Sequence, residues 1–193
     1  MGVAMPETVT LHGPRVTLRP WRLPEDLGPV AAINADPEAM RWFPNPMGRE
    51  ESDAWSTRIA GHFAPHGWGF WIVELPGIAP VAGVVGLQHV SFEARFTPAV
   101  EIGWRIAPAL QRQGLAEEAA RIALAFGFGR LELPEVVAFT PPGNEPSWRL
   151  MERLGMARDG TFAHPRLPEG HALRTHLLYR ITRAAWIADR LPA

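Results

Sequence analysis

The chain has 193 residues, enough for one hydrophobic core and too few to require a second domain, and 47% of them are hydrophobic, eight being tryptophan. Nineteen lysines and arginines against twenty aspartates and glutamates leave a net charge of −1, which excludes a general field for nucleic acid or anionic membrane. Cysteine is absent, which excludes disulfides, thiolate metal sites and a cysteine nucleophile.

Residues 1 to 13 read as a flexible N-terminal tail and residues 14 to 193 as a single domain. The tail lacks the basic start and apolar run of a signal peptide, and no membrane-length apolar stretch follows, so a cytoplasmic protein is expected. Arg15 to Trp21 reads as a strand in which Val16 and Leu18 alternate with polar neighbours. Pro24, Glu25 and Asp26 make a helical first turn, and Leu27, Val30, Ala31 and Asn34 keep helical spacing up to the Asp36-Pro37 break. A second helix is expected from Arg49 to about Phe63. Strands follow at Gly69 to Glu74, Val81 to Val90 and Ala99 to Ala107, separated by Pro76-Gly77 and by the polar loop Phe92 to Pro98, as antiparallel neighbours.

From Val100 to Ala107 apolar residues alternate with Glu101, Gly103 and Arg105. From Leu115 the period becomes helical, with Ala119, Ile122 and Phe126 on one face running to about Phe128. Gln111 to Ala116 is therefore the junction of a strand and a helix N-terminus. There the first N–H groups lack partners, the dipole favours negative charge, and Gly114 lets an anion approach the backbone. A glycine at such a junction also serves a plain turn. Neither GxGxxG nor GxxxxGK[ST] is present, so a dinucleotide or Mg-nucleotide site has no motif here. Glu135 to Thr140 is a short strand reached by a parallel, right-handed crossover. Glu145 to Leu154 is a short helix ended by Gly155, Met156 to Phe162 and Ala172 to Ile181 form a closing hairpin, and an amphipathic stretch runs through Trp186.

Gln111-x-x-Gly114-x-Ala116 after a strand resembles the (Arg/Gln)-x-x-Gly-x-(Gly/Ala) acetyl-CoA motif of the GNAT N-acetyltransferases. Asn144-x-x-Ser147 followed by Glu152-Arg-Leu-Gly-Met156 resembles the matching segment of the RimJ/RimL branch, which acetylates ribosomal-protein N-termini. The likeness spans Arg15 to Trp186. It implies an α/β (α+β) acyl-CoA N-acyltransferase fold: a mixed, mostly antiparallel central sheet with a splayed parallel strand pair and helices on both faces. It also implies acetyl-CoA as cosubstrate and no metal. The pantetheine arm would lie between Ala99 to Ala107 and Glu135 to Thr140, held by backbone groups of Trp104, Arg105 and Ile106. Gln111, Arg112, Gln113, Gly114, Leu115 and Ala116 would take the pyrophosphate through main-chain N–H groups, with Arg112 adding charge. Pro141-Pro142 fits the splay, because proline cannot donate to a ladder.

The resemblance assigns Asn144 to an amide of the pantetheine arm and Ser147 to the departing thiolate; by residue type alone they read as a turn residue and a helix cap. Family members carry a tyrosine one turn after that serine, where this chain has Met151, and its only tyrosine is Tyr179. By side-chain type Trp104 reads as core. Arg149 and Arg153 read either as 3'-phosphate contacts or as solvated helix residues. Glu101, on the polar face of the acetyl-binding strand and beside Gly103, which leaves room there, is the candidate base. A strand carboxylate also commonly faces solvent or pairs with arginine, and Arg105 is next on its face.

Other constellations carry less. His62 and His66 have helical metal spacing, but Pro65 interrupts the turn. His171 and His176 fall on opposite faces of a strand, and their loop, with His164, Arg166 and Glu169, would border an acceptor pocket. No Gly-x-Ser-x-Gly elbow is present. The expected activity is direct acetyl transfer to a primary amine, either a peptide N-terminus or a small molecule. The alternative from another class is a noncatalytic acyl-CoA-binding module. Neither membrane nor direct nucleic-acid contact is expected, and a homodimer is admitted.

Overall fold

A computed structural model describes residues 6–189. The elements follow in the order β1 (Leu11–His12), β2 (Thr17–Arg19), α1 (Leu27–Ala35), α2 (Arg49–Ala60), α3 (Phe63–His66), β3 (Phe70–Leu75), β4 (Ala79–His89), β5 (Val100–Ile106), α4 (Leu115–Gly129), β6 (Glu135–Thr140), α5 (Glu145–Arg153), β7 (Ala157–Ala163), β8 (Thr175–Thr182) and α6 (Arg183–Ala188). Each helix and strand read from the periodicity forms, with ends shifted by a few residues.

Two differences have physical causes. The tail expected over residues 1 to 13 ends sooner: Val9 N–H donates to Gly67 O at 3.1 Å, Trp71 Nε1 donates to Val9 O at 2.7 Å, and Leu11 and His12 pair with Leu18 and Thr17. Its residues 1–5 lie outside the described residues. The second helix, expected to reach Phe63, stops at Ala60 and resumes as α3. Phe63 there turns inward, 5% exposed, and meets the Trp71 ring edge-on at 5.7 Å between centroids.

The chain forms two compact units. One comprises the chain through Gln88 with Gly103–Ala123, the other His89–Ile102 with the chain from Leu124. In the first unit the strand order is β1-β2-β3-β4 followed by the second half of β5, all antiparallel. In the second the order is the first half of β5, then β6, β8 and β7. Glu101 of β5 pairs with Val137 of β6 in parallel, and β6–β8 and β8–β7 are antiparallel. A parallel pair needs a crossover connection, and α4 supplies it.

The central strands are covered on both faces. Trp71, Ile72 and Val73 are successive in β3 and all fully buried, so cover must come from both sides, and helices lie on both. Val30 of α1 packs with Ile72 and Val84 on one face, joined by Trp21 and Trp55. The second unit's core is Phe96, Val137 and Leu178, flanked by Phe92, Phe139 and Phe162. The result is the mixed, mostly antiparallel α+β architecture expected, with one parallel pair. No helix among the described residues is long and apolar enough to cross a membrane.

One buried ion pair locks β2 to the start of α1. Arg19 Nη1 and Nη2 donate to Asp26 Oδ2 and Oδ1 at 2.8 Å each, and its Nε donates to Glu74 at 2.6 Å. Both Arg19 and Asp26 side chains are 4% exposed. Removing one partner strands a charge in low dielectric, so Asp26→Ala should cost about 3 kcal/mol by chemical denaturation. A loss under about 1 kcal/mol would show that water reaches the pair.

Candidate functional site

The turn between β5 and α4 is built by local hydrogen bonding that leaves a row of donors unused. After β5 the chain makes a 3-10 turn at Pro108–Leu110. Leu110 N–H donates to Ala107 O, Gln111 N–H to Pro108 O, and the Gln111 side chain to Ile106 O at 3.0 Å. The main-chain N–H of Gln111, expected at the anion, is thus used in the turn. Arg112 and Gly114 both take left-handed backbone, φ 60° and 77°. Helical bonding resumes with Glu118 N–H to Gly114 O. Among the described residues the main-chain N–H groups of Arg112, Gln113, Gly114, Leu115 and Ala116 have no protein acceptor. Consecutive N–H groups in such a turn converge on an anion.

A residue missed by sequence reasoning completes this turn. Arg15 Nη1 donates to Gln113 O at 2.8 Å, and its Nη2 lies 3.3 Å from where a Cβ on Gly114 would stand. Glu118 holds Arg15 in place: its carboxylate accepts from Arg15 Nε at 2.7 Å and from the N–H groups of Arg15 and Val16 at 2.7 and 3.2 Å. Burial pushes the Glu118 carboxyl up, but the bonds from Arg15 and Val16 outweigh it and hold it below the ordinary carboxylate range. Nothing near Arg15 in sequence announces this, since its partner is 103 positions away.

β5 itself follows a period of two. Ala107 N–H donates to Ala82 O of β4, and Val90 N–H at the end of β4 donates to Ala99 O. Odd-numbered residues therefore turn their main-chain groups toward β4, and even-numbered ones turn them away. Of Trp104, Arg105 and Ile106, grouped above as backbone contacts, Trp104 and Ile106 present N–H and C=O on the edge away from β4. The main chain of Arg105 is committed to β4. The Trp104 side chain is half-buried, and Ile106 and Leu115 are buried.

The Arg105 side chain lies in the first unit among Asn34, Phe43 and Trp55. Its Nη1 donates to Asn34 Oδ1, and Asn34 Nδ2 in turn donates to Ser52 at 2.9 Å. The guanidinium carbon stands 4.2 Å from the Phe43 ring centroid and 4.9 Å from that of Trp55. Burial pushes this arginine down to about 10, and its Nε is buried with no acceptor. The space expected beside Gly103 is filled instead: a Cβ there would meet the Phe70 ring at 3.0 Å.

In the second unit Glu101 is in register with Val137, and its carboxyl makes no hydrogen bond among the described residues. It keeps some exposed surface yet is so enclosed that burial pushes its carboxyl up from 4.5 to about 8, with Arg166 pulling it partly back. Arg166 is fixed by two bonds at 2.8 Å from its Nη2 to Ser91 O and Oγ. His164 stacks near His176 at 5.0 Å beside Phe92, Phe139 and Phe162. Burial, then His176 and Arg166, push His164 down to about 4. His171 lies apart from this pair, its Nδ1 accepting from Leu173 N–H at 3.1 Å.

Asn144 begins α5 without capping it. Its Nδ2 donates to Thr140 Oγ1 at 2.9 Å, so both turn side chains are fixed by each other. Ser147 stands in the first turn, its N–H bonded to Asn144 O at 3.1 Å. Met151 is buried, and Tyr179 OH donates to Glu152 at 3.1 Å. Arg149 pairs with Glu145 at 2.5 Å.

Comparison with known proteins bears on the family and the fold. A family model described as an acetyltransferase (GNAT) domain matches residues 15–157. The chain is 37% identical over 101 residues to the uncharacterized N-acetyltransferase YnaD of Bacillus subtilis, covering 52% of this chain and 59% of that one. It is 29% identical over 153 residues to spermidine N(1)-acetyltransferase of Escherichia coli, covering 77% and 76%. A GNAT-family acetyltransferase structure from Bacillus anthracis superposes with a TM-score of 0.76 at 25% identity, covering 91% of this chain and 99% of that one.

The raised carboxyl of Glu101 has a stability consequence. Between pH 4.5 and about 8 the folded protein holds a proton that the unfolded chain releases, so this group's contribution falls as pH rises. Glu101→Gln should remove that slope. Thermal melts followed by circular dichroism should give equal Tm values near pH 4 and a higher Tm for the variant at pH 9; parallel curves would contradict the burial assigned to Glu101.

Proposed function

The chain belongs to the GNAT acetyltransferase family, and we propose that residues 14 to 193 work as one domain transferring the acetyl group of acetyl-CoA directly to a primary amine. The observation that carries this reading is the run of five unpaired main-chain donors, Arg112 to Ala116, opening α4 with Gly114 at φ 77°. Such a run suits a diphosphate in charge and geometry, and Gly114 leaves the approach clear. Arg112 adds positive charge, and Arg15, paired with Glu118, holds the turn through Gln113 O.

The remaining roles follow the family pattern as this chain's residues allow. Main-chain groups of Trp104 and Ile106 hold the pantetheine and polarise the acetyl carbonyl, where a well-placed N–H lowers the barrier by about 3 kcal/mol. Asn144, steadied by Thr140, meets a pantetheine amide. The amine nitrogen attacks the acetyl carbon, its proton passes to ionised Glu101, and the C–S bond breaks. The departing thiolate is stabilised by the Ser147 hydroxyl. A free thiol pKa of about 8.5 means that this departure needs only modest help, which suits a chain with Met151 in place of a tyrosine. With no cysteine and no activated serine elbow, direct transfer is favoured over an acetyl-enzyme.

The acceptor is a primary amine of low basicity. An α-amine has a pKa of about 7.7 to 8.0, close to the value of about 8 for Glu101, so the two exchange a proton with little driving-force penalty. That matching supports an α-amine, the chemistry of the RimJ/RimL branch, over a lysine. The cytoplasm supplies both substrates.

Coenzyme A release with a panel of amines tests the reading. Turnover with at least one amine is expected, and tight acetyl-CoA binding with no turnover for any acceptor would make the protein a binding module. Glu101→Gln should lower kcat by about 100-fold and abolish the rise of rate toward pH 8. Gly114→Val, which forces a branched side chain into left-handed backbone at the diphosphate, should raise KM for acetyl-CoA at least about tenfold. An unchanged KM would remove this turn from the binding site.

A further inference from the structure

We infer that Arg105 recognises a carboxylate on the acceptor, so that the amine acetylated by this protein carries an acidic group in the same molecule and is not a polyamine. This rests on the acetyltransferase reading above and narrows it to a substrate class.

Several arginines of this unit are completed by carboxylates. Arg19 is neutralised by Asp26 and Glu74, Arg15 by Glu118, Arg49 by Asp53 and Arg121 by Glu117. Among the described residues the Arg105 side chain has no carboxylate partner. Its hydrogen bond there goes to the neutral amide of Asn34, and no anion offsets the burial that pushes it down to about 10. A cation held this way costs stability, and a structure that needed only a filler at this position would do better with an apolar side chain.

The surroundings are built to keep the guanidinium in one place. Trp55 lies against it and is itself braced edge-on by Trp21, 6.2 Å away, whose Nε1 donates to Phe70 O at 2.7 Å. Asn34 is 1% exposed and fixed by fully buried Ser52. With Nη1 held by Asn34, the edge formed by Nε and Nη2 carries donors that no protein group accepts, and that edge matches the two oxygens of a carboxylate. Access lies past Phe43, which stacks on the guanidinium, is 37% exposed, and belongs to the irregular segment between α1 and α2. The backbone of the same stretch, at Trp104 and Ile106, is the part assigned above to the acetyl group, so an amine and a carboxylate a few bonds apart span from the reacting carbonyl to this cation. A polyamine would instead bring a second positive charge against an uncompensated one.

The test uses the full-length protein and matched probes: free amino acids, their carboxamides, and spermidine. Free amino acids should be acetylated with kcat/KM at least about tenfold above the matching carboxamides and above spermidine. Arg105→Met should bring that ratio to about one. So should Asn34→Asp, which keeps the shape of the site but supplies Arg105 with an internal counter-ion. Equal or better turnover of carboxamides or spermidine by the wild type overturns the inference while leaving the acetyltransferase reading intact. Should no amine be turned over, titration calorimetry of N-acetyl amino acids against N-acetyl carboxamides still decides it. Preferential binding of the acids that disappears in Arg105→Met sustains recognition of the carboxylate, and equal binding refutes it.

Discussion

The alternation of β5 governs what every part of the proposed chemistry can do. A strand turns its main-chain groups to its two edges and its side chains to its two faces in the same period of two. Once Ala107 and Ala99 are bonded to β4, the main-chain groups of Trp104 and Ile106 must face away from it, and the side chains of Glu101, Gly103 and Arg105 must share a face. A one-residue slip would turn Arg105's main chain outward and carry Glu101 into the apolar layer occupied by Val100 and Ile102. Gly83 pins the register, since a Cβ there would fall 2.2 Å from Arg105 O.

The same alternation explains how much of the molecule could be read from sequence. The shift from period two to period 3.6 at Gln111 to Leu115 places a strand end, a turn and a helix start, and each lies where the residues put it. What that shift cannot give is the partner that arrives from far along the chain. Arg15 reaches the turn only because β2 and the first half of α4 belong to one unit, and its clasp with Glu118 is a tertiary fact with no local signature. Arg166 acting on Glu101 is of the same kind. Local pattern also misleads where a neighbour fills a space: Gly103 reads as an opening, yet the Phe70 ring takes it. Likewise Phe63 reads as the end of a longer helix until Trp71 provides a ring to pack on.

Charge is treated in two distinct ways. Where a charge is structural, the protein completes it, as in the Arg19 pair with Asp26 and Glu74 or the three-donor cradle of Glu118. Asn144 and Thr140 follow the same logic with neutral groups. Glu101 and Arg105 depart from it. Among the described residues the Glu101 carboxyl has no hydrogen bond and the Arg105 guanidinium is held by a single amide, and both are displaced by burial toward their neutral forms. Such groups lower stability, which is what the proposed ligand roles would account for.

The raised carboxyl of Glu101 constrains its proposed role as base through the proton. A carboxyl near 8 is ionised in only about a tenth of molecules at pH 7, which makes it a weak competitor for a lysine proton near 10.4 but an even match for an α-amine. Moving the base to higher pKa therefore gains proton affinity at the expense of the ionised fraction, and the gain is useful only when the acceptor's own pKa is comparable. Arg166, held by Ser91, draws Glu101 partly back toward ionisation and so bears on where that balance falls. The proposed base calls for a weakly basic amine, and the proposed role of Arg105 calls separately for a negative charge on the acceptor.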